Sequence, residues 1–438
     1  MFAIRKVYLF ILLLPLLLFA GCQQKVYLMP PPIGLHPESQ LFYMSDEDKK
    51  DDNLLYTLYA TNRIPINKLN SSIGYTIFPS DTLELGYVVY SVGDEDMSWD
   101  DLYEQSLKKN RDTNLLLIPK HIREGAEYHK DADINQTSDR AEGFFDRINR
   151  AIDMSFDKDL TVYVHGANSN FYRATAQGAQ FYHFTGHNSV VLSFSWPSAE
   201  NLLKYKTDVL HAKKTIPAFA QLIEILALHI KARNINILAY SAGAQVAAPG
   251  LAYLRNLYPT QSSQKLKERF RIGEVYFAAP DTAFSPFVKR YLTFKDMVGR
   301  TTINLNHNDK ILRLAAFQNG VSRLGRPNAT ELNEEETEII IAALETPKLN
   351  VLDVGGSEAL NLGGAHNSWY NHPWVSNDLL MLFLFNAPPE ERGLIAFYNE
   401  HGVKHYHFPQ NYEQKIRPII AEHLLKKNRQ EQKALQTK

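Results

Sequence analysis

One serine stands where a short strand would turn directly into a helix. The apolar residues 235–238 lead into AYSAG over residues 239–243, and a run of helix-forming residues follows. A nucleophile on such a turn needs small side chains two positions before and after it, because the backbone there is strained and crowded. Ala239 and Gly243 meet this need, although Ala239 replaces the first glycine of the common G-x-S-x-G pattern. The pattern predicts Ser241 as an acyl-transfer nucleophile, with an ordinary tight strand–helix junction as the alternative.

A nucleophilic serine needs an acid and a base, and on folds with this turn they follow in the order serine, acid, histidine. Asp309 comes directly after the strand-like residues 302–305 and is the predicted acid. Asp281 ends the preceding strand-like stretch, residues 275–278, and is the alternative acid.

The predicted base is His366, which lies in a glycine-rich segment after the strand-like residues 350–354. It would take the Ser241 proton while Asp309 orients the imidazole and stabilises its cation. Other late histidines lack this placement and are interpreted as surface or packing residues: His372, His401, His405 and His407.

An oxyanion hole is predicted from the loop HGAN at residues 165–168, where a glycine lets the backbone approach the reacting group. The backbone amides of Ala167 and Ala242 are the expected donors, each contributing about 3 kcal/mol. His165 precedes the nucleophile in the chain and is therefore interpreted as structural. This chemistry requires no metal and no cofactor.

The elements that would position these residues alternate between short strands and helices from residue 160 onward. Strands are predicted at 160–164, 190–195, 235–239, 273–278 and 302–305. Such alternation indicates an α/β fold with a mostly parallel sheet flanked by helices. A crossover helix is expected around residues 216–226, with Thr215 as its cap and Pro217 in its first turn.

The N-terminal segment has the features of a lipoprotein signal. Arg5 and Lys6 precede an apolar run that ends in FAGC at residues 19–22, which resembles a bacterial lipobox. We expect a signal peptide at 1–21, lipidation of Cys22, and a tether over residues 22–53 that contains three consecutive prolines at 30–32 and a charged run. Gln23 favours sorting to the outer membrane, facing the periplasm.

Composition excludes several other classes. The 438 residues carry a formal net charge of −1, so no global charge favours nucleic acid. Cys22 is the only cysteine, which excludes an internal disulfide and zinc sites built on cysteine pairs. The sequence does not determine the oligomeric state.

The expected organisation is a hydrolase-like domain over residues 54–390, with a β-rich N-terminal extension, and a basic helical tail over 391–438. Strands of the extension are expected near 54–60, 74–78, 86–90 and 114–118. The segment 328–348 would form either a lid or, more simply, a solvated helix.

Several motifs in order resemble the bacterial α/β-hydrolase family known as domain of unknown function nine-hundred, from about Leu54 to Phe385. The matching pieces are YATNR at 59–63, VHG with Asn168, SWPS at 195–198 with Tyr205 and Asp208, the serine turn, APD at 279–281, ND at 308–309 and HNS at 366–368. The family's serine turn is commonly His-Ser-Met-Gly, whereas residues 240–243 here read YSAG. The resemblance implies the fold, the triad and hydrolase activity, and it leaves the substrate open.

Three functions agree with these features. The first is an envelope-anchored serine hydrolase that cleaves carboxylic esters, including lipid-derived ones, with an ester or lipid-like small molecule as its substrate. The second is a catalytically silent hydrolase fold that serves as a scaffold or binding lipoprotein. The third is an acyltransferase, because the acyl-enzyme is common to hydrolysis and transfer.

Overall fold

The computed structural model describes residues 25–39, 41, 53–66, 74–399 and 403–436. The predicted signal peptide and Cys22 lie outside these residues. Within them, no helix has both the length and the apolar character that crossing a bilayer requires.

The described residues form one sheet of eleven strands in the order β10-β11-β9-β8-β7-β6-β4-β5-β1-β2-β3. The strands from β5 to β9 pair in parallel, as predicted from the alternation, while β1–β2, β2–β3 and β10–β11 pair antiparallel. Their bounds are β1 Leu54–Ile66, β2 Gly74–Val92, β3 Leu117–His129, β4 Leu160–Val164, β5 Val190–Phe194, β6 Ile235–Tyr240, β7 Ile272–Ala278, β8 Val298–Leu305, β9 Leu349–Asp353, β10 Ile395–Tyr398 and β11 Lys404–His407.

Twelve α-helices connect and cover the strands in the described part of the chain. They are α1 Trp99–Leu107, α2 Asp139–Met154, α3 Phe171–Phe184, α4 Tyr205–His229, α5 Ala244–Asn256, α6 Ser263–Phe270, α7 Phe284–Phe294, α8 Lys310–Asn319, α9 Glu334–Leu344, α10 Ser368–Asn371, α11 Pro373–Phe385 and α12 Tyr412–Gln436.

The two faces of the sheet bury separate hydrophobic clusters. Val162 of β4 belongs to one cluster and its neighbour Tyr163 to the other, because successive side chains of a strand point to opposite faces. Every residue of β4, β5 and β6 is buried, which explains why these strands read as continuous apolar runs. The α/β prediction is confirmed.

The predicted N-terminal β-rich extension is continuous with this sheet. Strands β1, β2 and β3 form its antiparallel edge, and β1 pairs in parallel with β5 through Leu58, Tyr59 and Ala60. The extension is therefore part of the hydrolase-like domain and not a separate unit.

Residues 25–39 differ from the predicted tether, because they pack on the domain. Val26, Leu28 and Ile33 are buried in the same cluster as α3 and α11. The amide of Leu28 donates to the Leu115 carbonyl, and that of Ile33 to the Pro373 carbonyl. Apart from a short 3₁₀ helix at Pro37–Ser39, this segment forms no helix or strand of the sheet, so its apolar residues show no period that a sequence pattern could reveal.

The predicted tail over residues 391–438 also belongs to the domain. Strand β11 extends the sheet beside β9, and α12 buries Tyr412, Ile416 and Ile420 against the core. The folded unit thus extends beyond residue 390. The segment 328–348 contains α9, which begins with a capping box between Asn333 and Glu336.

The crossover helix is longer than predicted. It begins at Tyr205, so Thr215 is buried in its middle and Pro217 lies inside it. Pro217 is exposed, and water can solvate the carbonyl oxygen of Lys213 that a proline cannot satisfy. The prediction placed the start of the helix too late because a proline is typical of a first helical turn.

Candidate active site

Ser241 lies in a sharp turn between β6 and α5, as the sequence predicts. The serine adopts φ 51°, a left-handed conformation that is uncommon for a side-chain-bearing residue. A Cβ at position 243 would lie 2.4 Å from the carbonyl oxygen of Val164, so only glycine fits there. The turn therefore combines backbone strain at the serine with close packing against β4, as a nucleophile elbow requires.

The structure brings Ser241, His366 and Asp309 into one hydrogen-bonded chain. His366 Nε2 lies 2.8 Å from Ser241 Oγ, and His366 Nδ1 lies 2.7 Å from Asp309 Oδ2. His366 is 57 positions from Asp309 and 125 positions from Ser241 in the chain. The three residues meet at the carboxyl edge of the sheet. In this geometry the imidazole can accept the serine proton while the carboxylate fixes its orientation.

Asp309 is held as an acceptor from both sides. It is fully buried and caps α8, accepting hydrogen bonds at Oδ1 from the amides of Ile311 and Leu312, each 2.9 Å away. Its second oxygen, Oδ2, is left for His366. The capping position therefore orients the carboxylate toward the imidazole. It also places the carboxylate at the positive end of the α8 dipole.

The loop that carries His366 is tied to the loop that carries Asp309. Asn306 Nδ2 donates to the carbonyl oxygens of Gly363 and Ala365, both at 3.2 Å. The Lys310 amide donates to the Gly364 carbonyl at 3.3 Å. These contacts hold the base at a fixed distance from the acid, and sequence reasoning did not assign Asn306 this part.

The backbone segments of both predicted oxyanion donors adjoin the serine. Ala242 follows Ser241 within the 3₁₀ turn Ser241–Gly243, and Ala167 lies in the loop after β4. A Cβ at Gly166 would lie 3.0 Å from the Ser241 Cβ, so the glycine lets this loop approach the nucleophile. The arrangement has the two chain segments from which such a hole is built.

His165 begins this loop, and its ring has no hydrogen bond to the triad residues among the described contacts. Its ring is fully buried, stacks on Trp196 with centroids 5.1 Å apart, and faces the carbonyl oxygens of Gly166 and Trp196. Burial, with a smaller contribution from Arg63, lowers the pKa of His165 to about 3. The ring packs against this part of the chain, which agrees with its structural interpretation.

Asp281, the alternative acid, has other partners. Its carboxylate forms a buried ion pair with Arg323 and accepts from the Tyr205 hydroxyl at 2.8 Å. Its amide donates to the Ser241 carbonyl at 2.9 Å. Gln245 Nε2 donates to the Asp281 carbonyl at 2.7 Å. Asp281 thus supports the serine turn from behind, whereas the histidine is bonded to Asp309.

A buried arginine organises the loop after β5. The Arg63 guanidinium donates to the carbonyl oxygens of Ser169, Trp196 and Thr76 at 2.6 to 3.1 Å. It also contacts the Ser195 hydroxyl. Five donors in a fixed fork suit this task. The arginine joins β1, the oxyanion loop and the SWPS segment, which gives a physical reason for the YATNR and SWPS motifs.

Asp208 fixes the oxyanion loop to the same region. It accepts from the amides of Asn168 and Ala199, and burial raises its pKa to about 6. Asn168 adopts φ 54°, so this residue turns the loop directly after Ala167. Asp208 was among the residues that carry the family resemblance. The sequence did not reveal its contact with Asn168, which is 40 positions away.

Residues 141–379 match the family described as alpha/beta hydrolase of unknown function (DUF900). The match covers more than half of the chain. This protein belongs to that family. No curated protein matches the chain.

Family membership agrees with the predicted resemblance, over a narrower span. The match begins in α2 and ends in α11, so it includes the Ser241, Asp309 and His366 positions and excludes β1 to β3. Arg63 therefore lies outside the family match although it organises two loops within it.

Proposed function

We propose that this family member is a serine hydrolase that cleaves carboxylic esters through an acyl-enzyme on Ser241. The observation that carries the proposal is the unbroken hydrogen-bonded chain from Ser241 through His366 to Asp309, with the serine on a strained turn. Strain of this kind costs stability, so its presence at a bonded serine supports a catalytic role over a silent scaffold.

In the proposed reaction, His366 Nε2 takes the proton from Ser241 Oγ as the oxygen attacks the ester carbonyl carbon. The carbonyl oxygen becomes an oxyanion that accepts hydrogen bonds from the amides of Ala167 and Ala242. His366 then gives the proton to the leaving alcohol, which leaves an acyl group on Ser241. A water molecule, deprotonated by His366, attacks that acyl group; the bond to Ser241 Oγ breaks, His366 returns the proton to that oxygen, and the carboxylic acid is released.

Labelling with a fluorophosphonate probe tests the nucleophile. We expect the purified protein to be labelled and Ser241→Ala and His366→Ala to remain unlabelled. His307→Ala is the matched control, because His307 is an exposed residue in the same loop as Asp309. A folded wild-type protein that neither reacts with the probe nor hydrolyses any of a broad panel of esters would instead indicate the silent scaffold.

A lipid-derived ester is the substrate class that we favour. Helix α8 begins directly after Asp309 and exposes apolar side chains along one face. Phe317 is 86% exposed, the others are Ile311 and Leu314, and the exposed Val321 follows just after the helix ends. Lys310 and Arg313 are exposed between them, and no acidic residue occurs from 310 to 321. Apolar and cationic side chains together suit an anionic lipid surface.

Substitution on this face separates lipid contact from catalysis. We expect Phe317→Ser with Leu314→Ser to lower hydrolysis of a long-chain ester in anionic phospholipid vesicles at least tenfold. Hydrolysis of a short soluble ester should change less than twofold. Met154→Ser is the control, because Met154 is also an exposed apolar residue. It ends α2 and lies near the start of β4, at the edge of the sheet opposite the triad. Equal losses on both substrates would contradict the lipid assignment.

We also propose that the protein is anchored in the bacterial envelope through a lipidated Cys22, on the outer membrane facing the periplasm. The FAGC sequence and the apolar run before it support this placement. Labelled palmitate should enter the wild-type protein and not Cys22→Ser. Incorporation into both, or into neither, would contradict an anchor at this residue.

A further inference from the structure

Two histidines and an aspartate converge at the C-terminal edge of the sheet, apart from the triad. His405 and His407 lie two residues apart on β11, so they share one face of the strand. Asp353 ends β9, the parallel neighbour, where Leu352 is registered opposite Tyr406. One ligand atom from each of the three side chains lies within 4.8 Å of the other two.

Two of the three side chains are oriented by the backbone. The Gly356 amide donates to Asp353 Oδ1 at 2.9 Å, which leaves Oδ2 toward the histidines. His405 Nδ1 lies 3.2 Å from the Val403 carbonyl oxygen, which can only accept, so Nδ1 carries the proton. Metal-binding histidines usually have their second nitrogen engaged in this way.

The Nε2 atom of His407 faces the carboxylate of Asp353. Nε2 is buried and has no hydrogen-bond partner among the described residues, and Asp353 Oδ2 is 3.8 Å away, too far for a hydrogen bond. An unpartnered ring nitrogen thus faces a carboxylate oxygen, an arrangement that a cation between them would stabilise.

Gly356 borders the space between Asp353 and His407. A Cβ at Gly356 would lie 2.6 Å from Asp353 Oδ2 and 2.8 Å from His407 Cε1, so a larger residue would enter the space between the ligands. Phe397 of β10 covers the outer side, with its ring 4.5 Å from that of His407. In a tetrahedral zinc site the ligand atoms are roughly 3.4 Å apart, which small side-chain rotations would reach here.

We propose that Asp353, His405 and His407 bind a divalent transition-metal ion of the zinc type, with water completing the coordination. Two imidazoles and one carboxylate favour Zn²⁺, Co²⁺ or Ni²⁺ over Mg²⁺ and Ca²⁺, which prefer oxygen ligands. The ion would link the edge hairpin β10–β11 to β9, from which the chain continues toward His366. Because this site is separate from the triad, it does not rest on the proposed hydrolase function.

Titration of the metal-free full-length protein with Co²⁺, followed by visible absorption and by displacement with Zn²⁺, tests the site. We expect one Co²⁺ per chain, and at least tenfold weaker binding in His407→Ala and in Asp353→Asn. Asparagine retains an oxygen that can accept from the Gly356 amide, so Asp353→Asn should keep the fold. His121→Ala, an exposed strand histidine on β3, should bind like the wild type.

Thermal unfolding with and without Zn²⁺ gives a second readout. The wild-type midpoint should rise with Zn²⁺, and the rise should be lost in Asp353→Asn. Absence of Co²⁺ binding by the wild type would overturn the proposal. Unchanged affinity in both site variants would also overturn it, since the ion would then be bound elsewhere.

Discussion

The loops after β7 and β8 each carry a buried aspartate at the same edge of the sheet, yet the two carboxylates do different work. Asp309, after β8, accepts hydrogen bonds from two helix amides and contacts the His366 imidazole. Asp281, after β7, pairs with Arg323 and Tyr205 and bonds the serine turn through its backbone. Burial alone therefore does not distinguish the two carboxylates, whereas their hydrogen-bond and ion-pair partners do.

Asp309→Asn should have the largest effect on this comparison. The amide oxygen of asparagine can still accept from Ile311 and Leu312, so α8 should keep its cap. The amide nitrogen, however, cannot accept from His366 and would favour the wrong tautomer, which lowers kcat by about 10⁴. Ester hydrolysis and thermal unfolding of the purified variant measure the two parts. A fall in activity below tenfold would assign the acid elsewhere.

Asp281→Asn should act chiefly on stability. Arg323 would become a buried cation without its partner, which costs roughly 3–5 kcal/mol in the free energy of unfolding. Urea unfolding measures this loss. The folded fraction should keep kcat within tenfold of wild type, since His366 and Asp309 are untouched. A loss of kcat as large as that of Asp309→Asn, with stability unchanged, would reverse the two assignments.

Asn306→Ala tests the support on the β8 side. Without this amide the Gly363 and Ala365 carbonyls lose a shared donor, and His366 becomes less well positioned. We expect kcat/KM for a soluble ester to fall about tenfold, the size of a 1.4 kcal/mol change. Asn308→Ala, an exposed neighbour, is the control and should remain near wild type.

Tyr205→Phe should have the smallest effect. It removes the hydroxyl that donates to Asp281 and accepts from Gln245, while Arg323 still pairs with the carboxylate. Urea unfolding should show a loss of about 1 kcal/mol, the usual net contribution of one hydrogen bond. Fluorophosphonate labelling should proceed at the wild-type rate, and a clear slowing would mean that the β7 side contributes to the reaction.

Much of the fold was predictable because the local signals agreed. The strand predicted at 160–164 is observed with the same bounds, and those at 235–239 and 273–278 differ by one residue at one end. These strands are short, wholly buried and bounded by turn residues, so composition alone marks them. The serine turn was predictable for a similar reason, because its steric requirements fall on residues two positions away.

Segments that pack without a regular period were not predictable. Residues 25–39 contain three consecutive prolines and resemble a linker, yet Met29 donates its amide to Gln180 Oε1 and Gly34 donates to Asn377 Oδ1. These partners are 151 and 343 positions away. A contact of this kind depends on where α3 and α11 lie, which no local pattern states.

The histidines of β11 show the same limit for a binding site. Their i, i+2 spacing is visible in the sequence, but Asp353 is more than 50 positions earlier and belongs to a strand that was not known to be adjacent. They were interpreted as surface residues for that reason. Strand order, which placed β11 beside β9, brought the three ligands together.

The sequence by itself determined the serine turn and the parallel character of the sheet, because each depends on spacing within a few residues, and it predicted the triad from the order of its motifs. The sequence offered Asp309 and Asp281 as candidate acids. It could not decide between them, since both are aspartates that follow a strand. Only the tertiary structure decided between them, by placing His366 within hydrogen-bonding distance of Asp309 and Arg323 beside Asp281. Partner choice depends on distance in space, and chain spacing does not fix that distance.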